Sequence, residues 1–159
     1  MKILIAIDDT DNLETPGTGH LASALSDLLE ENGLGKGRAL PAHFLHSVGN
    51  LHFYDQTSKI LFSGDVGAAL AEVNDDEPVN DFERHCDAML EFHQRYMASN
   101  TVCRLWVRMM RQLDIEVMVP QHGRPFVGKD MVNNFLNWFE KLECGIDRMT
   151  DESYQVPYL

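Results

Sequence analysis

The stretch HFLHSVGNLHFYDQTSKILFSGDVG, residues 43–67, contains the pattern that predicts the centre of the fold. Two runs of aromatic and aliphatic residues, LHFYD and KILFSGD, are separated by the short polar segment 56–58. This arrangement is typical of a β-hairpin with a short loop. If the turn is centred near residues 56–57, the numbers of facing residues sum to about 113.

This pairing brings two chemically competent side chains to the open end of the hairpin. His46 and Asp65 come within one pleat of facing each other. A third strand-like run, residues 115–120, ends two residues before His122. Imidazole and carboxylate groups on one rim of a rigid sheet are ligands that iron and zinc accept, so His46, Asp65 and His122 form a candidate metal site.

The alternative is that each of these residues is an ordinary hydrogen-bonded surface or core residue. For the set of three, the spacing leaves both interpretations open. For the other histidines that stand apart from strand ends, the structural interpretation is the better one; they are His20, His43, His85 and His93.

The rest of the chain predicts an α/β fold. Apolar side chains recur at helical spacing in four segments, residues 19–32, 82–99, 100–113 and 130–143. A short apolar run at residues 3–7 predicts a buried strand, so the N-terminus forms a βα unit. The glycine-rich segment 33–38 then marks the best boundary inside the chain.

Charge and cysteine usage exclude several classes of protein. The formal net charge is −12, which works against binding to nucleic acids or anionic membrane surfaces. Cys86, Cys103 and Cys144 are odd in number and widely spaced, which argues against a disulfide framework and against a thiolate zinc site. No apolar run approaches the ~20 residues of a membrane span. We therefore expect a cytoplasmic protein with reduced thiols.

Four segments together resemble a known family. HFLHSVGNLHFYD, KILFSGDVGAAL, RYMASN and VPQHG are similar to the C-terminal half of the metallo-β-lactamase-like di-iron domain of flavodiiron proteins and of related oxygen-binding di-iron proteins. The resemblance extends over roughly residues 40–158. It implies a partial αββα architecture, in which His46 and His122 each bind one iron and Asp65 bridges the pair. It also implies O2 or NO as the small-molecule partner.

The chain departs from that family in one important respect. The family's first half supplies further ligands through a His-x-Glu-x-Asp or His-x-His-x-Asp motif, and neither occurs in this sequence. We therefore expect binding of one Fe²⁺ or Zn²⁺, with the family's reduction of O2 or NO impaired. No catalytic residue is assigned, and whether the chain is an enzyme stays open. Because no flavin-binding segment is present, any electron donor would be a separate protein.

The N-terminus resembles a different family. MKILIAIDDTDNLETPGTGHLA is similar to the opening of the DDTD nucleotide-binding proteins related to archaeal tRNA-isoleucine agmatinylcytidine synthetase. That resemblance implies a Mg²⁺ ion held by aspartates at a strand end and a phosphate facing glycines before a helix. An acidic turn followed by a capped helix explains the same residues. The residues concerned are Asp8, Asp9, Asp11, Gly17 and Gly19.

The chain thus combines two partial families, with a fusion junction predicted at residues 35–41. Residues 1–38 form the βα unit and residues 40–159 the half domain, and the two can pack as one domain. Three hypotheses follow: a metal-binding half domain, a Mg²⁺-dependent nucleotide-binding module, or a non-catalytic fold that self-associates as a homo-oligomer to cover its apolar sheet face.

Overall fold

The computed structural model describes residues 18–33, 35–69 and 77–156. Its helices and strands confirm the predicted α/β class. The predicted strand at residues 3–7 lies outside the described residues. In chain order the elements are α1 (Thr18–Glu31), β1 (Gly37–Pro41), β2 (Leu51–Asp55), β3 (Ile60–Phe62), α2 (Phe82–Tyr96), α3 (Asn100–Met110), β4 (Val117–Val119), β5 (Phe126–Val127) and α4 (Lys129–Phe139), followed by two short 3-10 helices, Gly145–Arg148 and Asp151–Tyr154.

The five strands form one sheet in the order β1-β2-β3-β4-β5. The pair β3 and β4 is parallel, and the other three pairs are antiparallel. A parallel pair needs a crossover, which here contains α2 and α3. Because β3 and β4 run side by side, the loops that follow them leave the sheet at the same edge.

The predicted hairpin is present as β2 and β3, although its register differs from the prediction. Phe53 faces Phe62, because the connecting turn occupies four residues, 56–59. The carboxylate of Asp55 accepts hydrogen bonds from the backbone N–H of Thr57 and of Ser58. These bonds close the turn one residue later than the polar segment alone suggested.

Two strands were not predicted. β1 lies partly in the glycine-rich segment that was interpreted as a boundary. At Gly37 a Cβ atom would lie 2.1 Å from Cζ of Phe53, so this glycine makes room for an aromatic ring in the neighbouring strand. β5 has two residues and is too short to give a sequence pattern.

α2 ends earlier than predicted, and its end shapes the region of interest. It begins at Phe82, and its N-cap is Asp81, whose side chain accepts a hydrogen bond from the backbone N–H of Arg84. After Tyr96 the chain becomes extended, and Met97 forms an isolated β-bridge with Leu45. This bridge joins the end of α2 to the loop between β1 and β2.

One face of the sheet contributes to a single buried core. Alternate residues Tyr54, Leu61, Met118 and Phe126 are buried, as expected for strands with one covered face. Aromatic residues of the helices complete this core; the ring of Phe126, for example, lies 5.0 Å from that of Phe135. Within the described part of the chain, no helix is both long and apolar enough to cross a membrane.

Candidate metal centre

The loop between β1 and β2 positions His46. This loop is closed by a hydrogen bond from the backbone N–H of Ala42 to the carbonyl of Asn50, at 2.9 Å. The side-chain amide of Asn50 donates to the carbonyl of Leu45 at 2.6 Å. His46 itself has φ +75°, in the left-handed region that residues with a Cβ rarely adopt. Its backbone is therefore held in a costly conformation by the bonds around it.

That conformation places the His46 ring against α2 and close to Asp65. The ring stacks on Phe92, with centroids 6.1 Å apart and planes inclined by 11°. It also lies 5.3 Å from the ring of Tyr96. Nδ1 of His46 is 3.6 Å from Oδ2 of Asp65, a close approach that is too long for a direct hydrogen bond. The His46 side chain is 40% exposed and that of Asp65 24%.

Asp65 lies in a tight turn that follows β3. The backbone N–H of Val66 donates to the carbonyl of Ser63, and the Ser63 hydroxyl donates to the carbonyl of Val66 at 2.6 Å. Next, the backbone N–H of Gly67 donates to Nε2 of His93 at 2.9 Å. Asp65 is thus a partly exposed residue of a turn in which Ser63, Val66 and Gly67 are buried and hydrogen-bonded.

His93 supports this turn from α2. It is fully buried, and its Nδ1–H donates to the carbonyl of Met89 at 2.8 Å, so Nε2 is the acceptor for Gly67. Burial lowers the pKa of His93 to about 4. The sequence assigned His93 a structural role, which its burial confirms. What the sequence did not reveal is that this residue holds the turn that carries Asp65.

His122 lies on the loop after β4, which interlocks with the Asp65 turn. The backbone N–H of Gln121 donates to the carbonyl of Gly64 at 2.7 Å. The carbonyl of His122 accepts from the backbone N–H of Ala69 at 3.1 Å. Gly123 has φ +103°, and a Cβ atom there would lie 2.9 Å from the Ala69 nitrogen. Only glycine fits this close approach of the two loops.

The structure therefore brings two of the three predicted ligands into contact. His46 and Asp65 face each other, and His122 shares their rim through the backbone of the interlocked loops, with its own side chain exposed. Among the described residues, no group of three or more His, Cys, Asp or Glu side chains is arranged to hold a metal ion.

Most of the residues predicted to bind Mg²⁺ and phosphate lie outside the described part of the chain. Asp8, Asp9, Asp11 and Gly17 lie outside the described residues. Gly19 is in the first turn of α1.

One buried histidine next to the rim was not considered from the sequence. His52 is 2% exposed, and the indole N–H of Trp106 donates to its Nδ1 at 3.1 Å. Burial lowers the pKa of His52 to about 3, so the ring is neutral with its proton on Nε2. A protonated Nε2 has no lone pair for a metal, which separates His52 from the candidate ligands. Side chains alternate between the two faces of a strand, and this alternation along β2 is the sequence signal that predicts a buried position for His52.

Comparison with known proteins identifies the family to which this chain belongs. The model of the family described as ODP family beta lactamase matches residues 24–123. The structure titled as the apo state of chemotaxis sensor ODP from T. denticola is 44% identical, with a TM-score of 0.69. A second structure, titled as a peroxy diiron species of chemotaxis sensor ODP, is 43% identical, with a TM-score of 0.68. Each comparison covers 73% of this chain and 48% of the sensor chain.

A more distant comparison supports the fold alone. Rubredoxin oxygen:oxidoreductase from the anaerobe Desulfovibrio gigas is 15% identical over 67% of this chain and 28% of its own, with a TM-score of 0.61. Among curated proteins none matches this sequence. The predicted metallo-β-lactamase-like fold is thus confirmed, and the chain spans about half the length of the sensor structures that it matches. The matched region begins after the DDTD motif, for which these comparisons give no support.

Proposed function

Because this chain belongs to the ODP beta lactamase family, we propose that it binds iron, or zinc in its place, at a partial di-iron site formed by His46, Asp65 and His122. The observation that carries the proposal is the contact of His46 Nδ1 with Asp65 Oδ2, at 3.6 Å, on an accessible rim. An imidazole nitrogen beside a carboxylate oxygen is a donor set that both metals accept.

The surroundings of this pair fit a ligand role. Asp65 supplies the negative charge that a cation needs, from a turn fixed by Ser63 and His93. The rings of Phe92 and Tyr96 limit the orientations open to the His46 imidazole. Such outer contacts orient metal ligands and raise affinity. His122, on the interlocked loop, supplies the third ligand.

A metal held by His46, Asp65 and His122 would have positions left open to a small molecule such as O2 or NO. We assign binding, and not multi-electron reduction, to this chain. The reason is that it spans 48% of the sensor chains and lacks the two motifs that supply the remaining ligands.

The test is metal content and affinity of the purified chain. We expect close to one Fe²⁺ or Zn²⁺ per chain by plasma mass spectrometry, and a dissociation constant for Zn²⁺ that rises at least about tenfold in His46→Ala, Asp65→Ala and His122→Ala. His43→Ala is the matched control, since His43 is an exposed histidine of the same loop as His46. A wild-type chain that binds neither metal would overturn the proposal, as would equal losses in all four variants.

The Mg²⁺-dependent nucleotide-binding alternative rests on the DDTD motif alone. It is separated by titrating the same chain with ATP in the presence and absence of Mg²⁺. Binding that requires Mg²⁺ and is lost in Asp8→Asn, with His46→Ala unaffected, would favour this alternative over the metal site at the rim.

Self-association is favoured by a specific feature of the sheet. The side chains of Phe62 and Val127 alternate with the buried Leu61 and Phe126, and they are 41% and 48% exposed. Among the described residues, nothing buries these two side chains, and large exposed apolar side chains on one sheet face are typical of a surface that another chain covers. Light scattering of the eluted protein, compared with Phe62→Ser, tests this role: a dimer that the variant converts to monomer supports it, and a wild-type monomer excludes it.

A further inference from the structure

Two of the three cysteines, far apart in sequence, lie side by side in the core. Sγ of Cys103, in α3, is 3.7 Å from Sγ of Cys144, which immediately precedes the first 3-10 helix. Both residues are fully buried, and both are free thiols. The remaining cysteine, Cys86, is a partly buried residue of α2. The sequence spacing gave no sign of this pair.

The two thiols are chemically unequal. The hydrogen bond between them lowers the pKa of Cys144, against the opposing effects of its burial and of Asp147, and it raises the pKa of Cys103, whose burial raises it further. Of the two thiols, Cys144 is thus the one whose thiolate form is favoured. A thiolate is the nucleophile in thiol chemistry, so one member of the pair is polarised to react first while the other lies at contact distance as a resolving thiol.

Cys144 is fully buried, although Glu143 and Ile146 on either side of it are exposed. The short segment that contains it is anchored by a hydrogen bond from the backbone N–H of Ile146 to the carbonyl of Ala98. Because both cysteines are 0% exposed, an oxidant would reach Cys144 through a local opening of this segment.

We propose that Cys103 and Cys144 form a redox-active dithiol, which a hydroperoxide such as hydrogen peroxide converts into an intramolecular disulfide. The inference does not depend on metal binding, because neither residue belongs to the candidate metal centre.

The reaction takes place in two balanced steps. The Cys144 thiolate attacks one peroxide oxygen, the O–O bond breaks, and the departing hydroxide takes up a proton to leave water and a Cys144 sulfenic acid. The Cys103 sulfur then attacks the Cys144 sulfur and displaces the hydroxyl group, which leaves as water with the Cys103 proton. In sum, two thiols and one hydrogen peroxide give one disulfide and two waters, and the peroxide is the oxidant.

The disulfide would connect α3 to the C-terminal segment. That segment contacts the candidate metal centre indirectly, because Ala98, which binds Ile146, also donates its backbone N–H to the carbonyl of Phe44, two residues before His46. Closing a long loop restricts the unfolded chain, so the oxidised form should also be more stable.

The experiment treats the folded full-length chain with one equivalent of hydrogen peroxide, blocks the remaining thiols with an alkylating agent, and then denatures it. We expect the free thiol count to fall from three to one, the intact mass before alkylation to fall by about two hydrogen atoms, and a peptide map to link Cys103 to Cys144. In Cys86→Ser the count should fall from two to none, with a Tm that rises by about 5 °C or more on oxidation and returns with dithiothreitol.

Cys103→Ala and Cys144→Ala are the matched control variants. Each lacks one member of the pair, so neither should form an internal disulfide. If either variant does not fold, the peptide map of Cys86→Ser decides the question alone. Three unreacted thiols in the folded wild type, a linkage that includes Cys86, a disulfide between chains, or conversion of Cys144 to a sulfinic acid would each overturn the proposal.

Discussion

The buried and the exposed histidines of this chain form two contrasting groups. In the buried group, the nitrogens of His93 are bonded to Met89 and Gly67, and Nδ1 of His52 accepts from Trp106. In the exposed group, His46 and His122 lie on the rim with exposed side chains.

The comparison shows that the hydrogen bonds of its two ring nitrogens decide whether a histidine near the candidate site can bind a metal. A metal needs a nitrogen lone pair that no other bond has taken. In His93 the fixed proton and the bond from Gly67 take both nitrogens, and in His52 the proton must lie on Nε2. Among the described residues, no buried partner forms a hydrogen bond with the nitrogens of the exposed rings. The four predictions below test this division, from the largest expected effect to the smallest.

Acid should destabilise the chain through the buried group. The pKa values of His93 and His52 fall from 6.5 to about 4 and about 3 on folding, because burial disfavours the charged ring. The unfolded chain then binds more protons, so stability is full above pH 6.5 and is lost as the pH falls toward 4 and then 3. We expect about 3 kcal/mol of lost unfolding free energy from each residue at pH 4.

The measurement is urea denaturation between pH 7 and pH 4, for the wild type and for His93→Gln. The variant lacks the titrating ring, so its stability should fall by about 3 kcal/mol less over this range. His43→Gln, at an exposed position, should follow the wild type. Parallel curves for all three proteins would contradict the assignment of a neutral buried ring to His93.

Replacement of His93 should also separate its acceptor role from its volume. His93→Leu keeps an apolar side chain of similar size but leaves the buried N–H of Gly67 without an acceptor, which costs about 2–3 kcal/mol. His93→Gln places a carbonyl oxygen near the position of Nε2 and should cost about 1 kcal/mol. Urea denaturation at pH 7 measures both. Equal losses would mean that the bond to Gly67 contributes little.

Substitution of Gly123 should show how strongly the close packing of the two rim loops stabilises the chain. Gly123→Ala combines positive φ with a Cβ atom 2.9 Å from the Ala69 nitrogen, whereas Gly128→Ala has φ +93° and no atom within 4 Å. We expect a loss of about 1 kcal/mol for Gly128→Ala and about 1–2 kcal/mol more for Gly123→Ala. Weaker Zn²⁺ binding should accompany only Gly123→Ala. Equal stabilities would show that the loops separate easily.

The smallest effect concerns the backbone of His46. His46→Ala and His46→Gly both remove the ring and its contacts with Phe92 and Tyr96. Only alanine keeps a Cβ atom at φ +75°, so His46→Gly should be the more stable variant, by about 1 kcal/mol. Thermal denaturation of the two variants side by side is the measurement. A more stable alanine variant would show that this loop relaxes when the ring is removed.

Much of the fold was predictable because it depends on local patterns. The apolar repeats gave all four helices, and the alternating residues around the 56–58 segment gave the β2 and β3 hairpin. The strands that were missed depend on partners distant in sequence: β1 needs the ring of Phe53 to fill the space above Gly37, and β5 exists through its pairing with β4. A single sequence carries no direct record of such pairs.

The residues of the candidate site stay a prediction, and the geometry that brings two of them together could not be predicted. Strand ends and hairpin arithmetic predicted that His46 and Asp65 lie close together, but the hairpin register is shifted and the contact is made from the loop before β2. The loop conformation that achieves this contact, with φ +75° at His46, follows from bonds such as that between Asn50 and Leu45, which no periodic pattern encodes. The role of His93 depends on a contact between α2 and a turn near β3, and the predicted ligand roles themselves stay predictions.

The parallel pairing of β3 with β4 has a consequence for the order of folding. Ile60 reaches Val117 only after α2, α3 and the chain between them have formed a crossover, so this pairing closes a long loop and raises the contact order of the domain. We therefore expect the rim that contains Asp65 and His122 to form after the local hairpin and helices. A ligand that requires this rim binds the completed chain and leaves partly folded forms unbound, and it shifts the population toward the native state by mass action.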